Sequence, residues 1–269
     1  MPLDDRHRKK RQTHLFRSLL CHRGRGDVAH HYTVNAVALD FAEGFVLPID
    51  KPYGMTSFGA LVRVRGTISR HLGVKRIKIG HAGTLDPLAT GVLLLCVGRM
   101  TKQIERLQLQ KKEYVATLQL GATTPSYDLE HPVDATYPTQ HITRQVIASL
   151  LESRFTGIIE QVPPTYSACK IDGKRAYDLM RQGHDVELKA KKVVIDEIEI
   201  QAFDAGAMTL TLRVVCSKGT YIRALARDLG EALHSGAHLI ALQRTRIGAY
   251  TLQQCLHIDD VKAWIEANS

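Results

Sequence analysis

Nothing in this sequence would staple the chain with metal or disulfides or hold it in a membrane. Its five cysteines, Cys21, Cys96, Cys169, Cys216 and Cys255, are odd in number and none lies near another, so neither a zinc knuckle nor a redox pair can be drawn from them. The thirteen histidines do not make good that lack, since only His30 and His31 are adjacent. Neither a structural metal nor a cofactor is expected. No apolar run approaches the roughly 20 residues of a spanning helix, and the N-terminus lacks the order of charged start, apolar stretch and small-residue cleavage site. A cytoplasmic protein with no membrane partner is expected. Acid is the scarcer charge, 27 Asp and Glu against 36 Lys and Arg, a formal net charge of +9. Such an excess favours a polyanionic partner over an acidic small molecule, although charge alone does not separate RNA, DNA and anionic lipid. There is no internal repeat and no low-complexity segment. The 269 residues, 44% of them hydrophobic, suffice for one large domain or two modest ones.

The stretch Gly80-His81-Ala82-Gly83-Thr84-Leu85-Asp86-Pro87-Leu88-Ala89-Thr90-Gly91 organises the rest. It has three glycines, a proline, one imidazole and a single carboxylate, with no Lys or Arg, although basic residues flank it on both sides. Pro87 fixes its own φ and disfavours the α region at Asp86, so a helix cannot run through. The apolar run from Val92 to Val97 follows at once and predicts a buried strand that anchors the loop on the core. A lone Asp-Pro is ordinarily a turn, but the whole dozen is far more specific. It resembles the catalytic motif of the TruB family of tRNA pseudouridine synthases. The resemblance covers residues 45 to about 250 and implies the fold and activity of that family. Those are an α+β pseudouridine synthase fold with a mixed, mainly antiparallel sheet flanked by helices and carrying a thumb insertion, and isomerisation of uridine at position 55 of the tRNA T-loop by an aspartate nucleophile.

Other motifs fall into register. Phe45 to Asp50 predicts a strand, followed by the turn Lys51-Pro52-Tyr53-Gly54 and a helix that Thr56 or Ser57 can cap. Phe58, Leu61, Val62, Ile68 and Leu72 mark the expected buried face of that helix, with Arg63, Arg65, Arg70, Lys75, Arg76 and Lys78 outside it as a candidate phosphate path. In the family the Lys-Pro pair, here Lys51-Pro52, supports the catalytic loop. Thr101 to Leu107 predicts a short helix, and Lys111 to Gly121 a strand whose alternation turns Tyr114, Ala116, Leu118 and Leu120 inward. The resemblance implies that Tyr114 stacks on the target base and assists proton removal, and that His81 takes the space the base vacates. Thr123 to His141 reads as a long loop, in which Pro125 replaces the aspartate common in the family. An amphipathic helix follows, ended by Gly157.

Residues 161 to 192 are the expected thumb. Tyr166 and Tyr177 stand among Lys170, Lys174 and Arg175, a mixture suited to a looped RNA because rings stack on bases and cations meet phosphates. Cys169 replaces the family's usual aliphatic residue there. Two strands, Val193 to Phe203 and Met208 to Cys216, lead to Ser217-Lys218-Gly219-Thr220-Tyr221-Ile222-Arg223 and a helix with Ile222, Leu225, Leu229 and Leu233 on its buried stripe. A cation in the first turn opposes the helix dipole unless an acid answers it, so Arg223 points to a partner carboxylate. The resemblance makes that partner Asp86, brings Tyr221 to the flipped nucleotide and packs Leu242 near the target base. The expected organisation is a basic extension over 1–40, disordered or loosely attached, a catalytic domain over 41–235 and a short C-terminal region over 236–269 with a last helix from Ile258 to Ala267. The partner implied is the tRNA T-arm, bound by a monomer that requires no other protein. A non-catalytic tRNA-folding helper is the alternative reading. A guide-RNA-dependent relative is disfavoured by the thumb and by the lack of room for an added RNA-binding barrel.

Overall fold

The structure, a computed structural model, describes residues 39–41, 43–164, 170, 171, 174, 175 and 188–269. The basic extension up to residue 38 and most of the expected thumb, including Tyr166, Cys169, Tyr177 and the side chains of Lys170 and Lys174, lie outside the described residues.

The first described elements are strand β1 (Val46–Lys51) and, after the Pro-Gly turn, helix α1 (Ser57–Leu72). Thr56 caps α1 by accepting the Gly59 N–H, and Gly73, in the left-handed region at φ 65°, closes it. The buried stripe of α1 is Ser57, Ala60, Leu61, Val64 and Ile68, which corrects the predicted face. Phe58 is 64% exposed, and Val62 and Leu72 are also at the surface, because two hydrogen bonds to the Leu85 backbone turn Ser57 inward and carry its neighbour Phe58 out. Next come β2 (Ile79–Ala82), β3 (Thr90–Val97), a 3-10 turn over Gly98–Gln103 and the short α2 (Ile104–Gln108). His81 therefore belongs to a strand, and the loop proper is 83–89.

Strand β4 (Lys112–Leu120) alternates buried and half-buried residues as predicted, with Tyr114 inward. The segment that follows is mostly irregular, with the small ribbon β5 (Ala122–Thr123) and β6 (Ala135–Thr136). Helix α3 (Arg144–Arg154) ends before Gly157, which at φ 84° opens β7 (Gly157–Gln161) and does not close the helix. The ribbon β8 (Lys170–Ile171) and β9 (Lys174–Arg175) precedes β10 (Lys191–Asp204), β11 (Thr209–Cys216) and helix α4 (Ile222–Ala232). The chain closes with β12 (Ala237–Ile247), β13 (Tyr250–Thr251), β14 (Leu256–His257) and α5 (Val261–Asn268).

Ten strands form one sheet in the order β14-β1-β3-β12-β4-β11-β10-β7, with β2 added to β3 and β13 to β12. Among the described residues only the β1–β14 and β3–β12 pairs are parallel. The architecture is the predicted mixed, mainly antiparallel α+β sheet, with five helices on it among the described residues. Residues 236–269, set apart in the sequence reading, supply β12 to the middle of this sheet. No period-two pattern announces that strand because register shifts at Leu239/Ala241 and Arg244/Arg246 break the alternation. β3 is buried on both faces. Leu93, Leu95 and Val97 pack with α1 and α5, while Val92, Leu94 and Cys96 pack with Leu107 and Ile247. A third cluster joins β4, β11 and β12 to α3 and α4 and contains Tyr114. No described helix is long and apolar enough to cross a membrane.

Gly91 is the point where β3 and β12 meet. Its φ is +101°, and a Cβ there would lie 2.2 Å from the Arg244 carbonyl oxygen. Gly91→Ala therefore combines left-handed strain with backbone overlap and is expected to destabilise the protein by about 3 kcal/mol. Gly54→Ala, at φ +78° but in open space, should lose only about 1 kcal/mol. Denaturant unfolding of both variants checks the order.

Candidate active site

Loop 83–89 carries Asp86 and is tied down from four directions. The ammonium of Lys51, fully buried, donates to the carbonyls of Pro52 (2.9 Å), Met55 (2.6 Å) and Pro87 (3.2 Å). The Gly54 N–H also donates to the Pro87 carbonyl, at 2.9 Å. From the start of α1 the Ser57 hydroxyl donates to the Leu85 carbonyl (2.9 Å) and accepts the Leu85 N–H (2.8 Å). From β12 the guanidinium of Arg244, buried in the sheet, donates to the carbonyls of Val92 (2.8 Å), Gly83 (3.1 Å) and Thr84 (3.4 Å). Inside the loop the Ala89 N–H closes a turn on the Asp86 carbonyl at 3.1 Å. Buried cations demand hydrogen-bonded oxygen, and here the loop's own backbone supplies it.

The acid predicted to answer Arg223 is Asp86. Arg223 Nε donates to Asp86 Oδ2 at 2.9 Å, and a second guanidinium nitrogen donates to the Ser126 carbonyl at 3.2 Å. Asp128 Oδ2 lies 3.7 Å from Arg223 Nε. The arginine side chain is 6% exposed and that of Asp86 is 40% exposed, so the guanidinium is enclosed while the carboxylate faces a cleft. The first turn of α4 holds no acid and Tyr221 contributes no side-chain cap, which leaves these two aspartates to balance Arg223 against the dipole.

A cleft of about 310 Å³ opens between loop 83–89, β4, β12 and the start of α4. That volume is at the lower end of the range of about 300–1,000 Å³ usual for small-molecule sites. Asp86, Tyr114, Tyr221, Arg223, Leu242 and Arg244 all line it, and among the described residues Asp86 is the only acid that does. Burial raises the pKa of the Tyr114 phenol against the opposing pull of Arg244, so the phenol is neutral at pH 7. Lys112, at the cleft edge, donates to the carbonyls of Gln108 and Gln110, and burial lowers its pKa to about 8. His81 is not among the lining residues. It stands opposite Leu95, its Nδ1 is buried without a hydrogen-bond partner, and burial followed by the charge of Arg244 pulls its pKa down. No group of three or more His, Cys, Asp or Glu among the described residues could hold a metal ion.

Two residues in this arrangement, Arg244 and Asp128, had no role in the sequence reading, and a third, Ser57, had a different one. Arg244 sits on an irregular strand, where nothing marks one arginine as buried. Ser57 looked like a helix cap, a place that Thr56 takes. Asp128 lay in a loop that departs from the family pattern, and only the fold brings it to Arg223.

Comparison with known proteins agrees with the motifs. Residues 69–222 match the model of the TruB family pseudouridylate synthase N-terminal domain, and residues 223–269 that of the tRNA pseudouridylate synthase B C-terminal domain. The chain is 60% identical to a protein named tRNA pseudouridine synthase B from Phocaeicola vulgatus, over 85% of this chain and 96% of that one. A protein of the same name from Bacteroides thetaiotaomicron is also 60% identical, over 85% and 95%. Among solved structures, a Cbf5-Nop10-Gar1 complex aligns with a TM-score of 0.61 and 27% identity, over 85% of this chain and 57% of that chain. An H/ACA RNP bound to a substrate RNA containing 2′-deoxyuridine aligns at 0.58 and 25%, over 85% and 57%.

Lys51 gives the site a pH signature. Burial lowers its pKa from 10.5 to about 8. Between those values the unfolded chain keeps a proton that the native chain has released, so this residue's contribution to stability rises with pH across the window. Below about 8 the full cost of burying the charge is present. Lys51→Met removes the donor from three carbonyls and should cost about 2–3 kcal/mol at pH 7. It also removes the pH gain, so the stability gap to the wild type should widen by on the order of 1–2 kcal/mol between pH 7 and 9.5. Urea unfolding at the two pH values measures both.

Proposed function

The chain belongs to the TruB family of pseudouridylate synthases and isomerises uridine in tRNA, and from that premise we propose that it acts on position 55 of the T-loop with Asp86 as the nucleophile. One observation carries this reading: the single carboxylate among the described residues of the cleft lies 2.9 Å from an enclosed guanidinium and remains 40% exposed on the side where a base can enter.

The reaction breaks the N1–C1′ bond and forms a C5–C1′ bond. C5 loses a proton, N1 gains one, and no electrons are exchanged. Asp86 supplies the attacking oxygen, and Arg223 holds that oxygen's partner in place and offsets the charge on the carboxyl group. Tyr114 stacks on the base. The phenol is neutral at rest, so it takes the C5 proton only after giving its own to solvent, and the positive charge of Arg244 offsets the phenolate in between. Tyr221 and Leu242 close the walls around the turning base and keep water from the intermediate. The T-loop uridine must leave its stack at a cost of a few kcal/mol. His81, neutral because its pKa is lowered, fills the gap as an uncharged ring. Lys51 acts through the loop backbone. Lys170, Lys174 and the basic residues of α1 meet phosphates of the T-arm, and the enzyme works as a cytoplasmic monomer without a protein partner.

Purified protein incubated with unmodified tRNA should place pseudouridine at position 55. Asp86→Asn should lower the rate by on the order of 10⁴ or more, and Arg223→Met by roughly 10²–10³. Pseudouridine mapping checks these values. Product formed by Asp86→Asn at the wild-type rate would sink the assignment. Full rescue of tRNA function in cells by that variant would move it to a tRNA-folding role.

A further inference from the structure

Arg223 must meet Asp86 in one geometry, yet it stands on the second residue of a helix whose N-terminus has no side-chain cap. Three side chains outside the 310 Å³ cleft supply the constraint. Gln161, the last residue of β7, is 2% exposed, and its amide grips the backbone of Tyr221 from both sides. Its Nε2 donates to the Tyr221 carbonyl at 3.1 Å and its Oε1 accepts the Tyr221 N–H at 2.8 Å. This fixes the chain two residues before Arg223. One residue further along, the Val162 carbonyl accepts a hydrogen bond from Arg227 at 2.9 Å. Arg227 lies one turn beyond Arg223 on the same helix and also donates to Asp228 at 2.8 Å. Its guanidinium stacks over the ring of Tyr127 at 5.3 Å from the centroid, within the reach of a cation–π contact.

Tyr127 holds a left-handed backbone at φ 59°, a conformation that disfavours a bulky residue. Its carbonyl accepts the Leu239 N–H at 3.0 Å. Its chain neighbours are the two groups that complete the Arg223 shell: the Ser126 carbonyl, which accepts from Arg223 at 3.2 Å, and the Asp128 carboxylate at 3.7 Å. The strained turn therefore delivers both neighbours to Arg223, and the stack on Arg227 holds the turn against the same helix.

We propose that Gln161, Arg227 and Tyr127 are positioning residues for the isomerisation, which join the end of β7 to the start of α4 and to the 124–128 turn so that Arg223 presents Asp86 to the base in a single geometry. The proposal rests on Asp86 being the nucleophile. It separates from simple support of the fold at Tyr127, because glycine there relieves the backbone strain while removing the ring. Tyr127→Gly should keep a thermal midpoint close to that of the wild type and bind unmodified tRNA within about twofold of it, while its single-turnover rate falls about tenfold. Arg227→Met should slow turnover to a similar degree, and the double variant should be no slower than either single one, since both break the same link. Gln161→Glu keeps the acceptor for the Tyr221 N–H, loses the donor to its carbonyl, and should also slow turnover without weakening tRNA binding. Wild-type single-turnover rates in Tyr127→Gly and Arg227→Met, or losses accounted for entirely by weaker tRNA binding, would overturn the positioning role. Asp86→Asn run alongside separates the two claims. If it is inactive while the other variants turn over normally, only the positioning role falls. If it is active, both fall.

Discussion

A positive charge enclosed by the sheet needs oxygen around it, and Arg244 finds that oxygen in the backbone of the loop that bears Asp86. This fixes two structures at once. β12 can carry a buried guanidinium only because loop 83–89 turns its carbonyls inward, and the loop can hold so irregular a path only because those carbonyls are satisfied. Gly91 permits the close approach of the two strands on which the arrangement depends. Lys51 repeats the device from β1, with a second set of carbonyls that includes Pro87, next to the acid. Asp86 thus stands on a short turn held from both sides and is not on a free loop tip. Its exposure and its immobility come from the same set of contacts.

The charges are divided between the faces of the sheet. On the face turned away from Tyr114, Glu113 binds Arg213, Arg246 and the Thr245 hydroxyl, and Arg213 also meets Glu197 and Glu199. The acids there are answered locally, so that face offers little net charge to a polyanion. The cleft has Lys112, Arg223 and Arg244 around Asp86, cations that are committed to backbone oxygens and to that carboxylate.

What the sequence made legible was local. The Gly-rich, acid-poor dozen around Asp86 announced an unusual loop, strict alternation turned Tyr114 inward, and a cation in the first turn of a helix required an acid. Each signal sits within a few residues and depends on one physical preference. The missing parts needed long-range geometry. The burial of Arg244 follows from two bulges that place β12 between β3 and β4, and no pattern within 237–247 records them. The inner face of α1 was misread because the reading weighted apolar size, whereas the small, polar Ser57 is held inward by its bonds to the Leu85 backbone. Asp128 is a loop acid until the turn at Tyr127 carries it to Arg223.

These features favour catalysis by fixed groups over catalysis by titration. The walls of the cleft are desolvated before substrate arrives: Tyr114 and Arg223 are buried and Arg244 is enclosed in the sheet. A base entering this space of about 310 Å³ would meet guanidinium groups that already have their hydrogen bonds and need not reorganise as charge moves. A carboxylate on a free loop would need ordering before it could act; the contacts on loop 83–89 order Asp86 as the chain folds. The buried cations behind loop 83–89 are committed to its carbonyls, and the Asp86 carboxylate keeps an exposed side toward the cleft.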